Sequence, residues 1–141
     1  MHNLVKIATA IILSIMSSNV YAQETFNLTV KIEDADSNDG QIFVSVYNTA
    51  ANFLDTSYKG AISKITNNGC VVTFEGLPKG TYAVSTFHDE NDNGKLDTNF
   101  IGIPKEDYGC SNGAKGIIMG PPKWKDAKFE LQTDQTITIT L

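Results

Sequence analysis

The sequence predicts an all-β protein, an antiparallel β-sandwich of about seven strands, and two observations carry that prediction. Apolar and polar residues alternate along most of the chain after residue 22, which is the period of a strand with one buried face. Clusters of glycine, proline, asparagine and aspartate separate the alternating runs at short intervals, as the turns of a sandwich require. Helix signals are confined to one brief stretch, residues 50–58.

The strand pattern recurs along the whole of this region, and turn signals separate most of the runs. We expect turns at residues 39–40, 67–69, 76–80 and 134–135. The segment 98–125 is rich in glycine and proline and is long for a connection inside a compact domain, which favours a functional loop. The expected strands are residues 26–32, 42–46, 70–74, 82–88, 128–131 and 137–141.

The first 22 residues have the three parts of a bacterial secretory signal peptide. Lys6 provides the positive charge, a short apolar run follows, and Val20 and Ala22 are the small residues before the cleavage point. The apolar run is well short of the roughly 20 residues that span a bilayer. We therefore expect cleavage after Ala22, a single domain over residues 23–141, no transmembrane segment after cleavage, and a periplasmic or secreted location.

The chain is acidic, with a formal net charge of −5 at pH 7. The leader holds one lysine and no acidic residue, so its removal leaves a net charge of −6. Nucleic acids and anionic membrane surfaces bind proteins that present a basic face, so the charge argues against both. We expect a monomer whose partner is an unknown protein or carbohydrate.

Two cysteines, Cys70 and Cys110, would meet oxidising conditions after export. A disulfide between them would close a loop of about 40 residues, worth about 4 kcal/mol in the chain-entropy model. The alternative is two buried thiols that never meet, because a sequence does not place two Cα atoms within bonding range. Of these two interpretations we favour the disulfide.

The acidic turn over residues 89–97 predicts a calcium site. Calcium takes six to eight oxygen ligands, and a tight turn supplies them when carboxylate or amide side chains alternate along it. A glycine at the sixth position permits the sharp bend, and the seventh residue contributes its backbone carbonyl. The expected ligands are Asp89, Asn91 and Asn93 at loop positions 1, 3 and 5, the carbonyl of Lys95, and Asp97 at position 9.

The pattern departs from a helix-loop-helix calcium site after its sixth residue. Position 12 is Phe100 rather than a bidentate glutamate, and a strand rather than a helix leads into the turn. We expect the missing oxygens to come from Glu106 or Asp107 in the following loop, or from water. The alternative is a solvated turn that binds no metal, because Asp, Asn and Gly favour turns on their own.

His88 precedes this turn and is the only histidine after the leader. Its simpler interpretation is a histidine at a strand end that bonds a loop carbonyl or carboxylate. The competing interpretation is a small hydrolase or carbohydrate-active enzyme in which His88, Glu106 or Asp107 acts as acid or base and calcium assists. Such an enzyme needs a concave pocket that gathers these groups, and we assign no catalytic residue from the sequence.

Trp124 follows two prolines and is flanked by lysines. It either presents a binding face or closes one end of the core, and the core position is the simpler interpretation. If the glycine-rich segment 98–125 is the partner surface, Tyr108 and Trp124 are its expected aromatic contacts.

Four blocks of sequence in the same order resemble one bacterial family, known only as domain of unknown function 2141. The resemblance covers essentially the whole chain after the leader and implies an exported domain with no catalytic residues to carry over. Cys110 departs from the family pattern, where this position is usually aromatic, and that departure favours a disulfide particular to this chain. The Leu77 to Tyr82 turn is also similar to transthyretin-like sandwiches, so we expect a transthyretin-like or immunoglobulin-like arrangement. The four blocks are residues 77–84, 88–97, 102–112 and 120–129.

Overall fold

The computed structural model describes residues 22–117 and 120–141. The predicted leader, residues 1–22, lies outside the described residues except for its last position. Eight strands in the described part form two sheets, so the predicted β-sandwich is confirmed. Within that part, no helix has the length and apolar character needed to cross a membrane.

The first sheet has three strands in the order β4 (Cys70–Pro78), β1 (Thr25–Glu33) and β8 (Gln135–Thr140). β1 and β4 are antiparallel, with a register shift between Phe26 and Leu28. β1 and β8 are parallel, which departs from the purely antiparallel sandwich that the alternation predicted. A strand's hydrophobic period is the same in both directions, so the sequence pattern does not reveal which way a neighbour runs.

The second sheet has the order β3 (Lys59–Ser63), β2 (Gln41–Tyr47), β5 (Gly80–Asp89) and β6 (Tyr108–Cys110). The short strand β7 (Phe129–Leu131) pairs with the first residues of β5, and β6 pairs with residues 85–87 further along it. A 3₁₀ turn (Ser111–Gly113) follows β6, and a one-turn helix α1 (Trp124–Ala127) precedes β7. β5 is therefore the central strand that carries the chain to the acidic turn.

The core lies between the sheets and is formed by alternate residues of the long strands, which the period of two brings to one face. Leu28, Val30 and Ile32 of β1 are at most 1% exposed, and so are their counterparts on β2. A second, smaller apolar cluster contains Ala83, Cys110, Ala114 and Ala127. The main cluster also includes Ile42, Val44, Val46, Phe74, Leu77, Tyr82, Val84, Leu131 and Ile139.

Ser111 joins three elements at the small cluster. Its hydroxyl is buried, accepts the N–H of Val84 at 2.9 Å and donates to the carbonyl of Ala127 at 2.5 Å. A buried hydroxyl that satisfies two backbone groups has a structural role. This agrees with the absence of any nucleophile motif around Ser111 in the sequence.

The six predicted strands all coincide with observed strands, although Lys128 and Leu141 lie just outside β7 and β8, and the helix expected at residues 50–58 is wrong. These residues form turns, and Leu54 has a φ of 61°, which a right-handed helix does not accommodate. Among the described residues, the α-helix is instead α1, which begins at the end of the segment predicted as loop. That segment also contains β6, so only part of it is a connection.

The favoured disulfide is also wrong, because both cysteines are free. Cys70 begins β4 beside the main core, whereas Cys110 ends β6 on the other sheet and belongs to the small cluster. Burial raises the pKa of the Cys110 thiol to about 12. Burial also raises the pKa of Cys70, against the opposing effect of a hydrogen bond with Ser63.

Candidate metal site

The acidic turn begins where β5 ends, and Asp89 is its buried anchor. The residue is 0% exposed. One carboxylate oxygen accepts the N–H of Asn93 at 3.1 Å and the other accepts the N–H of Gly94 at 2.8 Å. Both oxygens therefore point into the turn, where each keeps a further lone pair.

Asn91 and Asn93 also use their side-chain oxygens to accept backbone N–H groups of the turn. The side-chain oxygen of Asn91 accepts the N–H of Asn93 at 3.1 Å, and that of Asn93 accepts the N–H of Lys95 at 2.9 Å. Asp92 and Gly94 have positive φ values of 56° and 77°, which allow the chain to coil around these oxygens. The result is a series of local turns in which the side-chain oxygens of all three residues accept backbone N–H groups two to five positions later.

Asp97 closes the turn from its far end. Its carboxylate accepts the amide N–H₂ of Asn91 at 2.6 Å and that of Asn93 at 2.9 Å. These two hydrogen bonds, Asn93 first, lower the pKa of the Asp97 carboxyl, and the charges of Lys105 and Lys95 add to the effect. Asp97 therefore carries its negative charge throughout the neutral pH range.

Glu106 joins the two ends of the turn. One of its oxygens accepts the N–H of Glu90 at 3.1 Å and the other accepts the N–H of Asp97 at 2.9 Å. The N–H of Lys105 also donates to the Asp97 carbonyl at 2.8 Å. The loop that follows the turn is thus fastened to it by the Glu106 carboxylate, whereas the ligand role that the sequence predicted for Glu106 stays a prediction.

The structure brings the predicted residues of the turn together, but the amide nitrogens of Asn91 and Asn93, rather than their oxygens, face Asp97. Lys95 lies in the same turn and is tied by its N–H to Asn93. Across residues 22–117 and 120–141, no group of three or more His, Cys, Asp or Glu side chains stands in a metal-binding arrangement. Two of the four alternating side chains expected as ligands are asparagines rather than acids. The carboxylates of the other two, Asp89 and Asp97, accept hydrogen bonds from N–H groups of the turn.

His88 lies on the opposite face of β5 from Asp89, because adjacent side chains of a strand alternate. Its ring is 0% exposed, and Nε2 lies 2.7 Å from the carbonyl oxygen of Asp39. Bonding a loop carbonyl is what the simpler interpretation of His88 expected. The other ring nitrogen, Nδ1, has no hydrogen-bond partner and lies 3.7 Å from a carboxylate oxygen of Glu90.

Two further acidic residues lie at this end of the sandwich: Asp107, whose backbone carbonyl accepts the N–H of His88 at 2.9 Å, and Asp36, a neighbour of Asp107. Burial raises the pKa of the Asp107 carboxyl, and so do the charge of Asp36, a hydrogen bond with Asp36 and the charge of Glu90. His88 acts in the opposite direction and lowers the pKa of Asp107. Sequence reasoning missed Asp36, which lies far away in the chain, and the only sequence signal was the acidic run at residues 33–36.

The exposed apolar residues nearest in sequence to the turn form what we call the apolar tip, residues 99–103. Phe100 is 99% exposed, Ile101 64% and Ile103 55%. The side chain of Asn99 accepts the N–H groups of Ile101 and Ile103, both at 3.0 Å, so the tip has a defined shape. Large exposed apolar groups that cluster in this way mark interaction sites on soluble domains.

Trp124 lies in the core position rather than on a binding face. Its ring packs edge-on against Phe53 at 5.9 Å, and both rings border the small apolar cluster. Tyr108 is half-buried in β6, paired with Phe87. The aromatic contacts expected from the sequence are therefore largely structural, and the apolar tip was not singled out from the sequence.

The ring of His88 is wholly buried among the described residues, so it does not line an open pocket of the kind a hydrolase would need. A cavity of about 590 Å³ lies elsewhere, between the end of β1, the end of β3 and the start of β4. Lys31, Ser63, Asn68 and Cys70 are among its lining residues, and none of the residues of the acidic turn lines it.

Comparison with protein families gives one match of wide extent. The model of a family described as "Uncharacterized protein conserved in bacteria (DUF2141)" matches residues 30–140, which include every residue of the acidic turn and the apolar tip. Comparison with curated proteins and with solved structures gives no significant match.

Proposed function

The chain belongs to the DUF2141 family of proteins conserved in bacteria, and we propose that it is an exported, calcium-binding β-sandwich that acts as a binding or accessory module. In this proposal the turn over residues 89–97 holds the ion. The leader predicted over residues 1–22 directs export to the periplasm or the exterior, where calcium is available to a weak site.

One observation supports the calcium proposal: successive local hydrogen bonds already hold the side-chain oxygens of Asp89, Asn91 and Asn93 against the backbone of the turn. An oxygen that accepts one N–H keeps a lone pair for a cation. Asp97 is ionised and is held across the turn by the two asparagine amides, which an ion would replace as its partner. Glu106, or water, and the Lys95 carbonyl would complete the six or more oxygens that calcium takes.

The charge of the turn sets the expected affinity. Only Asp89 and Asp97 are carboxylates among the alternating ligands, whereas tight sites use more charge. We therefore expect a dissociation constant of about 0.1 to 1 mM, the range of extracellular calcium modules. Magnesium fits less well, because it demands a small octahedral shell and gives up its water reluctantly.

The binding role is supported by the apolar tip, which lies between the turn and Glu106 in the chain. Glu106 ties the loop that contains the tip to both ends of the turn. An ion in the turn would therefore fix the direction in which Phe100, Ile101 and Ile103 project. The partner is a protein or carbohydrate with an apolar surface that receives this tip. The alternative enzymatic function gains no support from a wholly buried His88.

The experiment is a thermal melt of the purified protein in chelator and then in about 5 mM calcium or magnesium. At a dissociation constant near 0.5 mM, ligand linkage gives about 1.4 kcal/mol of stabilisation, and so a rise in Tm of several degrees. Asp97→Asn removes one ligand charge with little change of shape, and we expect it to abolish most of the calcium-induced rise.

Asp92→Asn is the matched control. It removes the same charge from the same turn, but Asp92 is exposed, is not among the alternating ligands and has a positive φ that asparagine tolerates. We expect this variant to keep the calcium response. Equal loss of the response in both variants would show nonspecific attraction to an acidic surface, and no response in the unmodified protein would reject the proposal.

A further inference from the structure

The apolar tip, residues 99–103, is a compact loop whose own atoms satisfy most of its backbone N–H groups. The N–H of Asn99 donates to the Ile103 carbonyl at 2.8 Å, and that of Gly102 donates to the Asn99 carbonyl at 3.0 Å. The side-chain oxygen of Asn99 accepts the N–H groups of Ile101 and Ile103, both at 3.0 Å. Four of the five N–H groups of the tip are therefore bonded inside it.

The tip also projects from the domain without a charged side chain. A bridge between Thr98 and Pro104 closes its base, and residues 98–104 contain no Asp, Glu, Lys or Arg. Gly102 turns the chain with a φ of 85°, and a Cβ there would meet no atom within 4 Å. Phe100 is 99% exposed, so it lies almost wholly outside the packed protein.

These features match what a lipid bilayer demands of a loop. Lipid supplies few hydrogen-bond acceptors below its headgroups, so a backbone N–H that enters it must already be bonded within the protein. A protein or sugar surface makes no such demand, because its own polar groups bond those of the partner. The three large apolar side chains of the tip can enter the boundary between headgroups and acyl chains together. They are Phe100, Ile101 and Ile103.

The base of the tip has one charge of each sign, Asp97 before it and Lys105 after it. The N–H of Lys105 donates to the Asp97 carbonyl at 2.8 Å, so the two residues lie side by side. A zwitterionic lipid headgroup also has one charge of each sign, on its phosphate and its amine. Lys105 is exposed, and lysine side chains reach charged groups while apolar neighbours are buried. The net charge of −5, by contrast, repels anionic headgroups.

We propose that the apolar tip, with its backbone held by Asn99, inserts into zwitterionic lipid surfaces and anchors the domain there reversibly. This goes beyond the proposed function, in which the tip meets a protein or carbohydrate. It needs no calcium, because the hydrogen bonds that shape the tip lie within residues 99–103. Three side chains enter the lipid rather than a spanning segment, so we expect a dissociation constant of about 0.1 mM lipid, like that of a single acyl chain.

The test is flotation of the purified protein with phosphatidylcholine vesicles, in chelator at neutral pH. We expect the protein to float with these vesicles and to bind less when anionic phosphatidylglycerol replaces part of the lipid. Spin-labelled phosphatidylcholine should broaden the amide resonances of Phe100, Ile101 and Gly102. The amide of Leu54 should stay sharp, because β2 and β5 are antiparallel and the loop after β2 lies at the opposite end of the sandwich.

Ile101→Ser and Leu54→Ser are a matched pair. Both remove the same number of carbon atoms from an exposed side chain, one in the tip and one at the other end. Ile101→Ser should weaken vesicle binding by about tenfold, the factor that burial of one such side chain gives, and Leu54→Ser should bind as the unmodified protein does.

Asn99→Ala tests the role of the backbone. It keeps all three apolar side chains of the tip but leaves the N–H groups of Ile101 and Ile103 without their acceptor. We expect it to weaken vesicle binding by about tenfold, because an N–H without an acceptor is costly to bury.

The inference is overturned if the protein does not float with phosphatidylcholine vesicles, if Ile101→Ser and Leu54→Ser reduce flotation equally, or if Asn99→Ala binds as tightly as the unmodified protein. Tighter binding to anionic vesicles would also overturn it, because the contact would then be electrostatic. Every measurement is made in chelator, so failure of this inference is distinguishable from failure of the calcium proposal.

Discussion

At the scale of the residue, Asp97 and Asp107 are carboxylates with opposite electrostatic settings. Two asparagine amides lower the pKa of Asp97, whereas burial and the neighbouring carboxylate of Asp36 raise the pKa of Asp107. A lowered pKa contributes stability above the ordinary value of 3.8, and that stability is lost as pH falls through the folded-state pKa. A raised pKa has the reverse effect, because the folded protein then binds the proton more tightly than the unfolded chain.

Asp107→Asn is therefore expected to stabilise the metal-free protein at neutral pH. The destabilising effect of Asp107 begins as pH rises above 3.8 and is complete once pH exceeds the raised pKa of the folded protein. Asparagine carries no charge, so it removes the repulsion from the neighbouring carboxylates. The carboxyls of Asp36 and Asp107 are partly exposed, so water screens their repulsion. We therefore expect the free energy of unfolding to rise by about 1 kcal/mol, the value for one like-charge pair in water. The measurement is the difference in Tm between variant and unmodified protein in chelator, across pH 3 to 8.

The gain should vanish at the acidic end of that range, where Asp107 is protonated in both folded and unfolded chains. Other carboxylates titrate there too, but they cancel in the difference. A gain that persists unchanged at low pH, or a loss of stability at neutral pH, would contradict this account of Asp107.

The conformation of the turn over residues 89–97 follows from residue spacing, because its alternating Asp and Asn residues lie within nine consecutive positions, where local geometry follows from local sequence; calcium binding there stays a prediction. The surroundings of His88 were not predictable in the same way. Asp36 lies near Asp107 because β1 and β5 end at the same end of the sandwich. The His88 ring is held by a carbonyl 49 positions away, that of Asp39.

At the scale of the element, the loop between β1 and β2 supports the root of the acidic turn. Gly40 has a φ of 70°, and a Cβ there would lie 1.9 Å from the Asp89 carbonyl oxygen and 2.8 Å from the Glu90 Cα. Its neighbour Asp39 holds the His88 ring. The two loops therefore approach each other as closely as a glycine allows.

Gly40→Ala should be more destabilising than Gly76→Ala, although both positions have positive φ. Gly76, with a φ of 66°, has no atom within 4 Å of an added Cβ, so alanine there bears only the conformational cost of about 1 kcal/mol. Gly40→Ala adds a backbone clash, and we expect at least about 2 kcal/mol in total. Urea unfolding measures both, and equal losses would show that the close approach at Gly40 carries no cost.

Apart from β7, which has three residues, the strands that the sequence predicted correctly have long alternating runs, whereas the missed strands do not. β3 contains Gly60 and has only exposed and half-buried residues, and β6 has three residues. The predicted helix at residues 50–58 failed because helix-compatible composition is a weak signal when no amphipathic face is buried by packing. Such short or exposed elements depend on the neighbouring strand rather than on their own pattern.

At the scale of the whole molecule, the family match and the two sheets agree with the predicted architecture. The pairing of β8 beside β1 in parallel, the placement of the cysteines on different sheets and the approach of Asp36 to Asp107 all arise from chain topology. None of these is encoded in a local pattern. The acidic turn and the buried His88 ring share one end of the sandwich because the end of β5 carries both.

The central claim, that the turn over residues 89–97 binds calcium, is tested most directly by following the backbone amide resonances during a calcium titration. The account predicts that the amides of Asn93, Gly94 and Lys95 shift together with a midpoint of about 0.1 to 1 mM, and that magnesium has far less effect. The amides of Gly76 and Gly80, near the other end of β5, should keep their positions. Unchanged turn resonances at about 5 mM calcium, roughly five times the upper limit of the expected midpoint, would contradict the claim.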